Sequence, residues 1–320
     1  MRRTPPPPPC STQRYQMALM AARARHRTPP LNVHRVRSPI RPVAPPIPPT
    51  PPVVVSPVPA GDPVIIGMAT IPEREAHMVM TASQIAPQCT RLYIALNGYA
   101  RVPKALYALP NVVPQLTGEG QPLPDKGAVG KFYGRPSGDA YYLTVDDDIY
   151  YPPDYVRVMV AAVNRYERRA MIGLHGMRLD RLNDAPLDPA GGYPNYKQYR
   201  ELFIFYRALA TDTFVHTIGT ATLAFHTSLT PLRAEDISEP PYTIDEQVAI
   251  YAKYHALPMV LIARKQNWLQ HNPACAGINP LSRRYETVPA RNRRYYTNRP
   301  WYSCALTQET HATTDRSPNL

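Results

Sequence analysis

Three consecutive carboxylates, Asp146-Asp147-Asp148, close the run Tyr141-Tyr142-Leu143-Thr144-Val145, so a β-branched and aromatic segment delivers a block of negative charge to one end. Adjacent like charges repel by roughly 1 to 4 kcal/mol per pair at close range. A triple of this kind at a strand end calls for a cation, and oxygen ligands select a hard divalent ion, Mn2+ or Mg2+. An ion held by one or two carboxylates keeps positions for phosphate oxygens. A second acidic pair, Asp245-Glu246, begins a stretch that reads as a helix to Tyr254. Acids there complement the helix dipole, worth a few tenths to about 1 kcal/mol.

The elements that must position these groups can be read from short apolar runs. Pro63 to Thr70 is a buried parallel strand ended by a small-residue and proline turn, followed by a helix from about Glu73 to Ile85 and a strand Arg91 to Leu96 closed by Asn97-Gly98. Strand, helix, strand at this spacing is a βαβ unit. Tyr99 to Gly138 reads as loop. Ala140 to Val145 is the third strand, and Pro152-Pro153-Asp154 opens a helix running from Tyr155 to about Arg169. Met171 to His175 is a further strand, Arg178 to Arg200 a long loop or insertion, and Leu202 to Tyr206 and Thr222 to Phe225 are strands flanking a small-residue turn, Thr217 to Thr220. Pro258 to Ile262 is the last strand. In open α/β sheets, ligands sit outside the carboxyl ends of the strands. Thr70 to Pro72, Asn97-Gly98 and the Asp triple all fall there, and their convergence defines a site.

The ends of the chain differ from its middle. Eighteen of the 40 prolines and nine arginines lie in residues 1 to 63, with Asp62 the one acid, so this segment carries +8 of the formal +12. Such a composition cannot bury enough surface to offset ordering entropy, and a disordered Pro/Arg-rich arm is expected. Within it, Arg14 to Arg27 has helix-forming residues and no acids, which suits either a solvated basic linker or an amphipathic transit or membrane-surface segment. The expected organisation is an arm over 1–63, a domain over 64–275 and a basic, aromatic tail over 276–320 that wraps the domain or stays mobile. The cysteines (Cys10, Cys89, Cys275, Cys304) show neither a CxxC pair nor a zinc spacing. With no apolar run of 18 residues and no compact apolar core at the start, the expectation is a cytoplasmic protein, peripheral to a membrane if the arm engages one.

Ala69-Thr70-Ile71-Pro72-Glu73-Arg74, Leu96-Asn97-Gly98, Asp125-Lys126-Gly127-Ala128, Thr144 to Pro152 and Gly219-Thr220-Ala221-Thr222 occur in an order that resembles a GT-A glycosyltransferase, close to the family 2 type, over about residues 64 to 271. The resemblance implies a Rossmann-like α/β/α sandwich with a mostly parallel central sheet. It implies that Asp146 and Asp148 bind a divalent cation on the diphosphate of a nucleotide sugar, UDP- or GDP-linked. Asp147 would face the ribose or sugar as the most replaceable of the three. By the same resemblance Thr70, Pro72 and Arg74 line the nucleotide pocket with Asn97 beside the base or ribose, and Lys126 and Lys131 neutralise phosphate or hold the sugar. Asp245, or else Glu246, is the base that deprotonates the acceptor hydroxyl in an inverting transfer, and His271 is the third metal ligand, with His175 a substrate contact. The loop around Lys131 lacks the P-loop pattern. The family 2 Gln-x-x-Arg-Trp helix is absent, which argues for single addition over processive synthesis. A nucleotidyltransferase with the same metal chemistry is the alternative enzyme. Nucleic-acid binding through the arm and the Arg/Tyr tail is the alternative outside enzymes, and the body carries no nucleic-acid motif to support it.

Overall fold

In chain order the first half carries strand β1 (Val64–Thr70), helix α1 (Glu75–Ile85), β2 (Arg91–Asn97), β3 (Val112–Thr117), β4 (Tyr141–Val145), β5 (Ile149–Tyr150) and α2 (Tyr155–Arg165). The second half carries β6 (Met171–Gly173), β7 (Gly176–Arg178), β8 (Glu201–Phe203), β9 (Thr213–Phe214), β10 (Thr217–Ile218), β11 (Ala224–His226), α3 (Ile244–Tyr254), β12 (Met259–Leu261), β13 (Gln270–His271) and α4 (Val288–Thr297). These come from a computed structural model that describes residues 61–238, 243–275 and 288–301. Residues 1–60, which hold the expected arm, and residues 239–242, 276–287 and 302–320 lie outside the described residues.

Eight strands form one sheet in the order β3-β2-β1-β4-β11-β6-β12-β9. Six point the same way, while β11 and β9 run against them, giving the expected mostly parallel α/β sheet. Alternation along β1 assigns its two faces. Val64, Ile66 and Met68 pack with Met78, Ala82 and Ile85 of α1 and with Tyr155, Met159 and Val163 of α2. Ile65 belongs to the other side, with Val129 and Phe132 of the turn Gly127–Phe132 and Val248 and Ala252 of α3. The result is three layers. Gly67 faces that second side, where a Cβ would meet the Lys131 carbonyl oxygen at 1.7 Å. The missing side chain lets the Lys131 turn press directly onto the sheet.

Several element expectations are corrected. Tyr99 to Gly138 is not wholly loop, because β3 pairs with β2 in parallel register from Leu92↔Val112 to Asn97↔Thr117. Pro114 hid this strand. A proline cannot donate to a ladder and is tolerated on an edge, and β3 is the edge of the sheet. Helix α2 stops at Arg165 rather than Arg169, since Glu167 and Arg168 take positive φ values of 53° and 60°. Leu202 to Tyr206 contributes only β8, in a separate three-stranded sheet β10-β7-β8, and Thr217–Ile218 is a strand of that sheet rather than part of a turn. β12 is followed by β13, which pairs antiparallel with β5 just after the Asp triple. No helix among the described residues is long and apolar enough to cross a membrane.

Candidate active site

Strand register explains why the groups meet. Met68 of β1 pairs with Val145 of β4, so two residues further on Thr70 is level with Asp147. Thr70 Oγ1 donates to Asp147 Oδ2 at 2.7 Å, and Arg74 Nη1, carried by the turn after β1, donates to Asp147 Oδ1 at 2.7 Å and Asp148 Oδ2 at 3.2 Å. From α1, Thr81 Oγ1 donates to the Asp147 carbonyl at 3.2 Å. The antiparallel return of β11 beside β4 brings the residues before it to the same end: Thr144 Oγ1 donates to the Thr220 carbonyl at 2.6 Å. Tyr151 Oη accepts from the Asp146 N–H at 2.9 Å and donates to the Ala221 carbonyl at 2.7 Å.

Beside this network lies a cavity of about 340 Å3 lined by Arg74, Lys131, Asp146, Asp147, Asp148, His175, Thr220, Asp245, Glu246, His271 and Arg291, while Thr70, Thr81, Thr144 and Tyr151 stand behind that lining. The three aspartates differ in exposure. Asp147 is 4% exposed and fully engaged by Thr70 and Arg74, whereas Asp148 is 23% and Asp146 35% exposed. The middle residue is therefore the anchor of the triple and not its most replaceable member. Burial and the neighbouring Asp146 push the Asp148 carboxyl up to about 6, against the pull of Arg74. Burial also raises Asp147, with Arg74 and Thr70 opposing it.

Lys131 is almost fully buried and paired with Asp146. Burial works against its ammonium, but Asp146, with Asp245 and Asp147 behind it, outweighs burial and raises its pKa. Lys131 Nζ also lies 3.4 Å from Thr220 Oγ1. Thr220 in turn donates to Asp245 Oδ1 twice, from N–H and from Oγ1, each at 2.8 Å. Glu246 is buried and pairs with Arg291 Nε at 3.4 Å, a contact that ties α4 to the site.

Three other expected residues, Asn97, Pro72 and Lys126, stand apart from the cavity. Asn97 is 1% exposed, donates to the Gly127 carbonyl at 3.1 Å and accepts from Thr117 Oγ1 at 2.6 Å, so it fastens the Lys131 turn to β2. Pro72 is exposed in the turn that aims Arg74, and Lys126 caps the turn Gly127–Phe132; neither lines the cavity. His271 lines it, with its ring 4.6 Å from Phe205 and 5.5 Å from Tyr206. His175 lines it too; burial lowers its pKa against the pull of Asp245, and its Nδ1 is buried with no hydrogen-bond partner among the described residues. Sequence reasoning did not single out Arg291, which sat among many arginines of the tail, or Phe205. Neither carries a local signal.

Among the described residues no group of three or more His, Cys, Asp and Glu side chains is arranged to hold a metal ion. The chemistry of the two partly exposed carboxylates, Asp146 and Asp148, nonetheless suits a hard cation whose remaining ligands are substrate and water oxygens. The cavity lining as a whole carries five carboxylates against three basic side chains, an excess of negative charge.

No protein-family model matches the chain, and no curated relative matches it. Among solved structures it is similar to S. aureus TarS 1–349, alone and in complex with UDP-GlcNAc, each at 13% identity and a TM-score of 0.39. The likeness covers 63% of this chain and 56% or 58% of those chains, so the match spans little more than half of their length.

Proposed function

We propose that the protein is a metal-dependent glycosyltransferase that moves one sugar from a nucleotide-diphosphate sugar to an acceptor hydroxyl, with inversion. The observation that carries this reading is the presence of two differently held carboxylate sets in one cavity: the Asp triple, braced by Arg74 and Lys131, and Asp245, held through one oxygen only. Among the described residues, hydrogen bonds engage Asp245 Oδ1 and none engages Oδ2.

In the proposed reaction the acceptor oxygen forms its bond to the anomeric carbon as the bond to the diphosphate oxygen breaks. The electron pair leaves with the nucleoside diphosphate, and the hydroxyl proton passes to Asp245 Oδ2. Glu246 suits this role less, because Arg291 already neutralises it. Lys131 and Arg74 offer positive charge beside the departing phosphates, in a buried setting where such charge acts strongly. A diphosphate entering a cavity with surplus carboxylates needs a cation with it, and Mg2+ or Mn2+ on Asp146 and Asp148 would supply that neutralisation.

A screen of UDP- and GDP-sugars with manganese tests the reading by thermal stabilisation and slow donor hydrolysis. Release of a nucleoside diphosphate from at least one donor is the expected result. Release of pyrophosphate, or neither stabilisation nor hydrolysis with any donor, overturns it.

A further inference from the structure

Lys131, Thr220 and Asp245 form a hydrogen-bonded line whose direction is set by chemistry alone. An ammonium only donates and a carboxylate only accepts. The Thr220 hydroxyl, 3.4 Å from Lys131 Nζ and 2.8 Å from Asp245 Oδ1, must therefore accept from the lysine and give its single proton to the aspartate. Lys131 is itself paired with Asp146, so the line joins the Asp triple to the acid pair of α3.

Thr220 cannot drift from this place. It is 2% exposed, and its carbonyl accepts from Thr144 Oγ1 at 2.6 Å. The preceding Gly219 sits where a Cβ would come within 2.9 Å of His175 Cδ2, and its N–H donates to the His175 carbonyl at 2.8 Å. Two donors from one residue, N–H and Oγ1, clamp the same oxygen of Asp245, which fixes the carboxylate plane and leaves the other oxygen for a substrate.

We propose that Thr220 is the positioning residue of the base: it orients Asp245 for proton removal and couples that orientation, through Lys131, to the donor-binding carboxylates. The inference rests on the glycosyl-transfer reading of the site. Valine keeps the shape of threonine and removes the hydroxyl, leaving the N–H contact.

Hydrolysis of the best donor from the UDP- and GDP-sugar screen supplies the assay, with water as acceptor. Thr220→Val should lower kcat by about 10- to 100-fold with the donor KM within about twofold, because only the proton-transfer geometry is lost. Thr220→Ser should restore kcat to within about threefold of wild type. In an Asp245→Asn background, Thr220→Val should have no further effect, since a residue acting through another is silent once that partner is gone. A Thr220→Val kcat within twofold of wild type overturns the inference, as does a full additional loss in the double variant or a serine variant as slow as valine. A wild type that turns over no donor instead overturns the glycosyl-transfer reading, and this role falls with it.

Discussion

The two ends of the central strands carry similar residue types and do different things with them. Beyond the carboxyl ends lie the Asp triple, Arg74, Lys131, Thr220 and Asp245 around a cavity. At the opposite ends, Asp62 precedes β1, Tyr141 opens β4 and His226 closes β11. His226 is 1% exposed, with Ser228 Oγ 2.6 Å from Nδ1 and Asp62 Oδ2 3.2 Å from Nε2. By residue type this is a nucleophile constellation. Arg168 closes it: its guanidinium is 2.8 Å from Asp62 and 3.1 Å from His226 Nε2, and it donates to Tyr141 Oη at 3.0 Å. None of these residues lines the cavity. The difference teaches that residue types alone do not mark a site: a candidate is set apart by facing a space large enough for a substrate. The Arg168 cluster instead fastens the end of α2 to the starts of the strands.

Substitutions can break this contrast, and the largest effect falls on the triple. Asp148→Ala should abolish sugar transfer and metal-dependent nucleotide binding together, and unchanged nucleotide affinity by calorimetry with manganese would sink the assignment. Asp245→Asn comes next: turnover should fall by about 10^2- to 10^4-fold with donor affinity retained, as expected for loss of a general base. At the other end the signature should invert. His226→Ala should cost about 1 to 3 kcal/mol in urea unfolding, through lost buried hydrogen bonds, with kcat within about twofold of wild type. A large loss of turnover in that variant would mean the two ends are not separate in function.

The smallest effect concerns pH. Asp148 has a folded pKa of about 6 against 3.8 for the free side chain, so between those values the folded chain binds a proton that the unfolded chain has released. The stability this provides is full below about pH 3.8 and is lost as pH rises through about 6. Asp148→Asn stays neutral and lacks that loss. In chelator, its melting temperature should therefore exceed that of the wild type above pH 6 and approach it near pH 4; parallel curves would refute the burial argument for Asp148.

Where local signals were strong, they were enough. β1, β2 and β4 are short apolar runs bounded by turn residues, and α1 and α3 follow acids or proline at their starts, so all five were legible. β3 was not, because Pro114 reads as a break unless the strand is known to be an edge. The end of α2 was not, because Glu167 and Arg168 carry no glycine-like signal for their left-handed backbone, which places Arg168 on Asp62. For the site, the Asp triple and Asp245 stood out as acids at the ends of elements. Asn97 was readable as a strand-end residue, but not that both ends of its amide would be used inside the fold.

The sequence by itself determined that a mostly parallel α/β sheet would bring Thr70 and Asp146 to Asp148 to one edge, because strand ends and turn residues are encoded locally. Tertiary structure alone decided the roles within that edge. Asp147 became the buried anchor, since the β1–β4 register sets it opposite Thr70. Thr220 reached Asp245, since β11 returns antiparallel beside β4. Arg291 reached Glu246 from 45 residues away. Each of these depends on pairings between distant segments, whose register and direction no local pattern of residues specifies.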